Sequence, residues 1–368
     1  MPSIGLGMMV KDEAQVITRA LDSARQLVDC ILIVDTGSTD NTKELAANWL
    51  DRANIPGKIF EEPWRDFGYG RSVVLKTMRE EFPQIDYTLM LDADEVIKPL
   101  STDEITALKE NLTADCYNTD MQRSTIIYQL PRLTSNRLPF HYLGPAHEWL
   151  TCEKQPYSEA VLPGLTLIAL GEGARQRNDP ERYRREAALF EDILKSETDA
   201  FRRCRYTFYL AQSYRDAGEP LHALRAYWKR TEMGGWQEEV YVSLLRAASL
   251  HEQLGHSLTQ ILSAYKRAIA LIPARAEAMH GAARVCRNAG LHGEGYWFAK
   301  QGVRLPLHKG LFVEAWVYEW GLLDEFAICA YYAGERVDGW LACQALLRGN
   351  LDPTTRERVE KNAEFCRA

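Results

Sequence analysis

The amino-acid sequence predicts an α/β domain built on a mixed sheet, followed by an all-α domain of stacked helix pairs. The first sixty residues alternate short apolar runs with amphipathic segments in β-α-β-α-β order, which is typical of a parallel sheet with right-handed crossovers. A further apolar run over residues 87–91 ends in a cluster of acidic residues. From about residue 180 onward the apolar residues follow helical spacing only.

Three short buried strands are predicted at the start of the chain, over residues 4–10, 30–35 and 58–60. Amphipathic helices connect them, at about residues 13–27 and 42–49. The turn after the second strand is rich in small polar residues and opens a helix, so its backbone N–H groups can bind an anion. The same polar residues can also cap the helix, and the two roles are compatible.

The acidic cluster Asp92-Ala93-Asp94-Glu95 directly follows the predicted strand over residues 87–91. Side chains two residues apart on an extended segment point the same way, so Asp92 and Asp94 can present two carboxylates to one point. Open α/β sheets bind their ligands at this end of the strands. Oxygen ligands of this kind suit Mg²⁺ or Mn²⁺, which in turn suit a diphosphate.

Three motifs occur in order: Met9-Val-Lys-Asp-Glu13, Asp35-Thr-Gly-Ser-Thr-Asp-Asn-Thr42 and the acidic cluster. Together they resemble the motifs of family 2 glycosyltransferases, whose domain has the GT-A fold. The segment Trp64-Arg-Asp-Phe-Gly-Tyr-Gly-Arg71-Ser72 is similar to the W-x-D-F-x-x-A-R-N segment of one subgroup, with glycine and serine in place of the usual alanine and asparagine. The resemblance implies an inverting transfer of a sugar from a nucleotide-diphosphate sugar.

The resemblance also implies a donor site. Asp35 and the backbone from Met9 to Lys11 are expected to hold the base, and Arg71 to bind the nucleotide or the diphosphate. Arg175 matches the arginine of a G-D-G-x-R segment, in which Glu172 here replaces the aspartate. The expected nucleotide-sugar-binding residues are Met9, Val10, Lys11, Glu13, Asp35, Gly37, Arg71, Asp92, Ala93 and Arg175.

Residues 144–148 resemble the G-x-x-H-E core of the same subgroup, in which such a histidine is the third protein ligand of the metal, beside Asp92 and Asp94. His147 is therefore an expected ligand of Mn²⁺ or Mg²⁺, and the alternative is a histidine that forms hydrogen bonds within a turn. An inverting transfer needs a general base beside the acceptor. Asp94 and Glu148 are the expected catalytic residues, although Glu95 could also act as the base, and Glu148 could instead orient Arg71 or His147.

The second half of the chain shows a loose repeat. Gly218, Gly255 and Gly290 each end a predicted helix and lie 37 and 35 residues apart, which resembles degenerate tetratricopeptide repeats. The predicted domains are therefore a GT-A catalytic domain over residues 1–175 and a superhelical repeat domain over residues 176–368. Such repeats offer a concave surface, so they are expected to help recognise a peptide, protein or glycan acceptor, and could also form a homo-oligomer.

Composition also restricts the expected partners and location of the protein. The formal net charge of −7 gives no reason to expect nucleic acid as the main partner. Eight cysteines without metal-finger spacing are typical of reduced thiols, and neither a signal peptide nor a membrane span is predicted, so a cytoplasmic protein is expected. No motif in the sequence distinguishes among UDP-, GDP- and TDP-sugars. Of the three, a UDP-sugar is the expected donor.

Other functions remain to be weighed against sugar transfer. A binding scaffold with a silent GT-A domain is one alternative, and a glycosyltransferase that acts on a modified nucleobase is another. A nucleotidyltransferase is disfavoured, because such enzymes carry a loop rich in glycine after the first strand, where this chain has Met-Val-Lys-Asp-Glu.

Overall fold

The structure, a computed structural model, describes residues 1–124, 126–174, 179 and 181–367. The chain divides into two units, Met1–Pro180 and Glu181–Ala368. The predicted domain boundary at residue 175 lies outside the described residues, as does Arg175 itself. Every helix in the described ranges is too short or too polar to cross a bilayer.

A mixed sheet with strand order β3-β2-β1-β4-β7-β6-β10-β5 forms the centre of the first unit. Strands β3, β2, β1 and β4 run parallel, and β7 pairs antiparallel with β4, while β8 and β9 form a separate hairpin. In chain order the strands are β1 Ile4–Val10, β2 Cys30–Asp35, β3 Gly57–Glu61, β4 Tyr87–Met90, β5 Glu95–Ile97, β6 Cys116–Arg123, β7 Ile126–Ser135, β8 Phe140–Leu143, β9 Trp149–Cys152 and β10 Glu159–Ala169.

Both faces of the sheet are covered, because the central strands are apolar on both sides. Ile31 and Ile33 of β2 pack into one core with helices α1 and α2, whereas Leu32 and Val34 pack into the other with helix α3 and the β8–β9 hairpin. Alternate side chains of a strand point to opposite faces, so a continuous apolar run supplies both cores. The helices of this unit are α1 Ile17–Ala24, α2 Thr42–Ala53, α3 Phe67–Glu81 and α4 Thr102–Glu110.

The described part of the second unit consists of helices and their connections. Consecutive helices pack as antiparallel pairs, as the repeats predict, so the predicted fold class is confirmed. The helices are α5 Arg182–Ser196, α6 Ala200–Asp216, α7 Pro220–Glu232, α8 Gln237–Gln253, α9 Leu258–Leu271, α10 Glu277–Asn288, α11 His292–Gly302, a π-helical turn Val317–Gly321, α12 Leu322–Tyr332, α13 Arg336–Arg348 and α14 Pro353–Arg367.

Four helices of this unit, α6, α8, α10 and α12, end in the same glycine joint. The glycine has a φ between 67° and 88°, a left-handed conformation that favours glycine. Its N–H donates to the carbonyl three residues earlier, and the next N–H donates to the carbonyl five residues before it. The carbonyls that a helix end leaves open are thus satisfied locally. The four glycines are Gly218, Gly255, Gly290 and Gly334.

Candidate active site

The carboxyl ends of β1, β2 and β4 lie side by side at one edge of the sheet, because these strands are parallel neighbours. Val10 ends β1, Asp35 ends β2, and the acidic cluster follows β4 directly. The three sequence motifs therefore meet at one edge, as the alternation of strands and helices predicts.

Hydrogen bonds join the loops after β1 and β2 into one structure. Asp12, whose φ is 56°, donates its backbone N–H to Ser38 Oγ at 2.9 Å and accepts the N–H of Thr39 through Oδ1 at 2.7 Å. The N–H of Glu13 donates to Thr42 Oγ1 at 2.7 Å. The polar residues of the second motif thus fix the first loop as well as the start of α2.

Asp35 carries the clearest sign of a binding site. The residue is only 1% exposed, and its Oδ1 accepts the N–H groups of Gly37 at 3.0 Å and Ser38 at 2.9 Å. Its Oδ2 is buried and has no hydrogen-bond partner among the described residues. A buried acceptor left without a donor costs about 1–3 kcal/mol, so this atom favours a ligand that brings an N–H or O–H group.

Five buried or half-buried charged side chains form a network that includes two residues of the acidic cluster: Arg71, Asp92, Glu95, Arg132 and Glu148. Arg71 Nη2 donates to both oxygens of Asp92, at 2.7 and 2.8 Å, and Arg71 Nε lies 2.7 Å from Glu148 Oε1 in an ion pair. Arg132 Nη2 donates to Glu95 at 2.7 Å and to Asp92 at 3.3 Å. Burial opposes ionisation of Asp92, but Arg71 and Arg132 outweigh it and hold the pKa of its carboxyl well below the usual range.

The network includes two of the expected site residues. Both oxygens of Asp92, an expected metal ligand, accept hydrogen bonds from arginines. Arg71, an expected ligand of the nucleotide or diphosphate, is 8% exposed and lies in the second turn of α3, which begins at Phe67 with Asp66 as its N-cap. Its guanidinium contacts Asp92 and Glu148.

Asp94 differs from Asp92 in its surroundings. It is half-buried, and it accepts the N–H of Gly173 through Oδ2 at 3.2 Å. No salt bridge to Asp94 occurs within the described ranges. Burial and the neighbouring Asp92 carboxylate raise the pKa of Asp94. The charge of Arg123 acts in the opposite direction. A cation would be stabilised at Asp94, whose carboxylate forms no salt bridge with the residues that the structure describes.

His147 and Glu148 lie in the turn between β8 and β9. His147 is exposed and has a φ of 50°, a left-handed conformation uncommon outside glycine. The turn packs on the start of α3, where Phe67 N–H donates to Pro145 O at 3.1 Å. In the part of the chain that is described, no three His, Cys, Asp or Glu side chains form a ready metal cluster. The expected set of Asp92, Asp94 and His147 is therefore not assembled.

The two unusual residues of the Trp64–Ser72 segment have local explanations. A Cβ at Gly70 would lie 2.3 Å from Met9 Sδ, so a side chain there would require the Met9 side chain to move. Ser72 Oγ accepts the N–H of Tyr142 at 2.9 Å and thereby fixes α3 to β8.

The remaining expected residues are placed as follows. Met9 and Val10 end β1, Lys11 is exposed after it, Gly37 has a φ of 101°, and Ala93 is buried between the two aspartates. Sequence reasoning missed Arg132 as a site residue. Its only signal was a charged residue flanked by apolar ones in a predicted strand, where a buried cation needs a carboxylate partner.

Comparison with known proteins agrees with this arrangement. Residues 6–136 match the family model described as Glycosyl transferase family 2. An uncharacterized glycosyltransferase of Rickettsia felis is 30% identical over 137 residues, which are 37% of this chain and 42% of that protein. A TPR repeat-containing protein of Synechococcus elongatus is 29% identical over 153 residues, 40% of this chain and 35% of that protein.

The chain thus spans less than half the length of either relative. Among solved structures, S. aureus TarS 1–349 in complex with UDP has 13% identity and a TM-score of 0.37, over 72% of this chain and 90% of that one. That score is too low to support any argument about function. The family match and the meeting of its motifs at one sheet edge lead to one conclusion: this chain carries a glycosyltransferase domain of family 2 within its first unit.

Proposed function

We propose that the protein transfers a sugar, with inversion, from a nucleotide-diphosphate sugar to an acceptor. The observation that carries this proposal is the buried Oδ2 of Asp35 at the carboxyl end of β2, which has no hydrogen-bond partner in the described part of the chain. A nucleotide supplies what this atom lacks, namely the N–H of a base or a hydroxyl of the ribose. The family match supports the same reaction class.

In this proposal the nucleotide lies along the ends of β1 and β2. Asp35 Oδ2 accepts a hydrogen bond from the base or the ribose, and the backbone from Met9 to Lys11 with Gly37 shapes the pocket. A UDP-sugar is the proposed donor, because uracil offers an N–H beside two carbonyl oxygens. Arg71 acts through Asp92, whose carboxylate it holds at the sheet edge.

Two side chains of the candidate site are suited to binding a divalent cation. Asp94 provides a carboxylate without a salt bridge among the described residues, and exposed His147 lies next in sequence to Glu148 of the charged network. We propose that Asp94 and His147 would hold Mn²⁺ or Mg²⁺, with the diphosphate as a further ligand. Such a cation supplies neutralisation of the departing diphosphate.

Glu148 is better suited to orienting Arg71 than to proton transfer. Its Oε1 lies 2.7 Å from Arg71 Nε, so this carboxylate is already paired with a buried guanidinium. Of the two expected catalytic residues, Asp94 therefore keeps the direct contact with the reacting groups, and Glu148 takes a positioning role.

The helical unit is proposed to recognise the acceptor, a peptide, protein or glycan. Stacked helix pairs present a continuous surface that suits an extended ligand. The expected donor residues all belong to the first unit. In this proposal the first unit therefore binds the donor, and the second recognises the acceptor.

Calorimetric titration with UDP and Mn²⁺ tests the proposal. Asp35→Asn keeps an oxygen for Gly37 and Ser38 but puts an amide in place of Oδ2, so we expect nucleotide affinity to fall about 10- to 100-fold. Asp51→Asn, at an exposed position of α2, is the control and should bind UDP as the unchanged chain does. Equal affinity in all three chains would refute the role of Asp35.

A panel of nucleotide sugars, scored for hydrolysis without an acceptor, identifies the donor. We expect hydrolysis of one class and its loss in EDTA or in Asp94→Asn. A chain that binds no nucleotide with either metal would favour the alternative of a binding scaffold.

A further inference from the structure

A short segment after β10 is tied to the candidate site at several points. We call residues 170–174 the strap. Leu170 N–H donates to the carbonyl of Asp94 at 3.0 Å, and Gly173 N–H donates to Asp94 Oδ2 at 3.2 Å. The N–H of Ala174 donates to both carboxylate oxygens of Glu13, each at 3.1 Å. Two consecutive N–H groups therefore face two carboxylates that are far apart in sequence.

The absence of a side chain at Gly173 favours the close approach of the strap to these carboxylates. A Cβ at this position would lie 3.1 Å from Asp94 Oδ2 and 3.4 Å from Glu13 Oε1. A side chain would therefore press on the Asp94 carboxylate, the less constrained of the two. Ala174 is 8% exposed, so its hydrogen bond to Glu13 is shielded from water, which strengthens it.

Glu13 is itself firmly held. Its N–H donates to Thr42 Oγ1 at the start of α2, and its carbonyl accepts the N–H groups of Val16 and Ile17 at the start of α1. A third contact with the strap is the ion pair Arg19–Glu172. Both side chains are about half exposed, so this pair contributes little to the free energy that holds the strap in place. Glu13 is the anchor that connects the strap to the two helices beside the site.

We propose that Glu13 is a positioning residue for Asp94. By holding Ala174, it keeps the Gly173 N–H against Asp94 Oδ2 and thereby fixes the carboxylate that is to bind the cation. This role differs from the direct contact with the nucleotide that the sequence resemblance implies for Glu13. The consequence for the cation rests on the proposed function, whereas the hold of Glu13 on the strap does not.

Hydrogen–deuterium exchange of the full-length chain, without ligand, tests the hold on the strap. In Glu13→Ala the peptide that covers residues 170–174 should exchange faster, while Glu13→Gln, which keeps one acceptor oxygen, should stay close to the unchanged chain. Arg19→Ala is the matched control, because it removes only the exposed tie. Unaltered exchange of the strap in a folded Glu13→Ala chain would overturn the proposal.

Titration with Mn²⁺ in the presence of UDP, followed by electron paramagnetic resonance, tests the effect on Asp94. We expect Glu13→Ala and Gly173→Ala to weaken Mn²⁺ binding about 10-fold or more, the range of losses around a metal's ligands, with Glu13→Gln and Arg19→Ala near the unchanged value. Faster strap exchange with unaltered Mn²⁺ affinity would reduce Glu13 to a structural anchor and refute its positioning role. If the unchanged chain binds no Mn²⁺ with UDP, the metal assignment fails, and the exchange result alone decides whether Glu13 holds the strap.

Discussion

At the scale of single residues, the site is organised by charges that satisfy one another rather than by open ligands. Asp92 lies between two arginines, and each arginine reaches a second carboxylate, Glu148 or Glu95. Removing one member of a buried pair leaves an uncompensated charge, which costs more than the pair contributes. Activity should therefore be sensitive to residues that never contact the substrate.

Glu148→Gln distinguishes a positioning role from that of a general base. If Glu148 orients Arg71, donor hydrolysis and transfer to an acceptor should fall by the same modest factor, about 10-fold or less, because the amide oxygen still faces Arg71. A general base would instead lose transfer by about 100-fold or more while nucleotide affinity stayed unaltered. Glu153→Gln, at an exposed position just after β9, is the control.

The sequence predicted some of these residues and could not predict others. Asp35 and Asp94 follow apolar strands, so local pattern was enough to place them at the sheet edge. The bond between Glu13 and Ala174 joins residues 161 positions apart, and no local pattern reveals such a contact. Arg132 depends in the same way on how β7 pairs with β4.

At the scale of elements, segments with a regular apolar periodicity were predicted better than segments with a mixed pattern of apolar and polar residues. The central parallel strands were predicted closely, whereas β10, in which Pro163 and Gly164 interrupt the apolar pattern, was not predicted. The structure instead carries an irregularity there: the register with β6 shifts between Val161 and Thr166, and Gly164 has a φ of 89°. Proline and glycine inside a strand mark such a bulge.

The glycine joints predict a difference between two substitutions in the helical unit. Gly255 has a φ of 67°, so Gly255→Ala should cost about 1–2 kcal/mol and lower the melting temperature by a few degrees. Gly293 lies in the first turn of α11 without left-handed backbone, and a Cβ there meets nothing within 4 Å. Gly293→Ala should leave the melting temperature unaltered or raise it. Equal effects in calorimetry would contradict the role given to the joint.

Helix α10 carries a histidine that makes the helical unit sensitive to acid. Burial, with Arg284 nearby, lowers the pKa of His280 to about 4, although Asp324 acts in the opposite direction. The unfolded chain binds the proton at about pH 6.5, so stability falls as the pH drops from about 6.5 towards 4, by up to about 3 kcal/mol. Exchange of the imidazole C2 hydrogen, followed by mass spectrometry against pH, measures this pKa. A midpoint near 6.5 for the His280 peptide would contradict the prediction.

At the scale of the whole molecule, the two units separate the expected donor residues from the helical array. A chain that ends at residue 180 should therefore still bind UDP with unaltered affinity and hydrolyse the donor, yet lose transfer to the native acceptor. Calorimetry and an acceptor assay on the full and shortened chains measure both effects, and near-ultraviolet circular dichroism checks the fold. Undiminished transfer by the shortened chain would refute acceptor recognition by the helices and favour a role for them in oligomerisation.

The repeated glycine joint has a consequence for how such an array changes over generations. Each of the four helix ends satisfies its own carbonyls, so no joint depends on the identity of the pair beyond it. A duplication or deletion of one whole helix pair would create a new contact between neighbouring pairs but would leave no helix end without its hydrogen bonds. Gly290 and Gly334 lie further apart in sequence than the other consecutive joint glycines, and the π-helical turn lies between them. A duplication or deletion across this interval would not keep the spacing of the other joints. The array can therefore vary its length, and with it the extent of the surface that it presents, while the first unit stays unaltered.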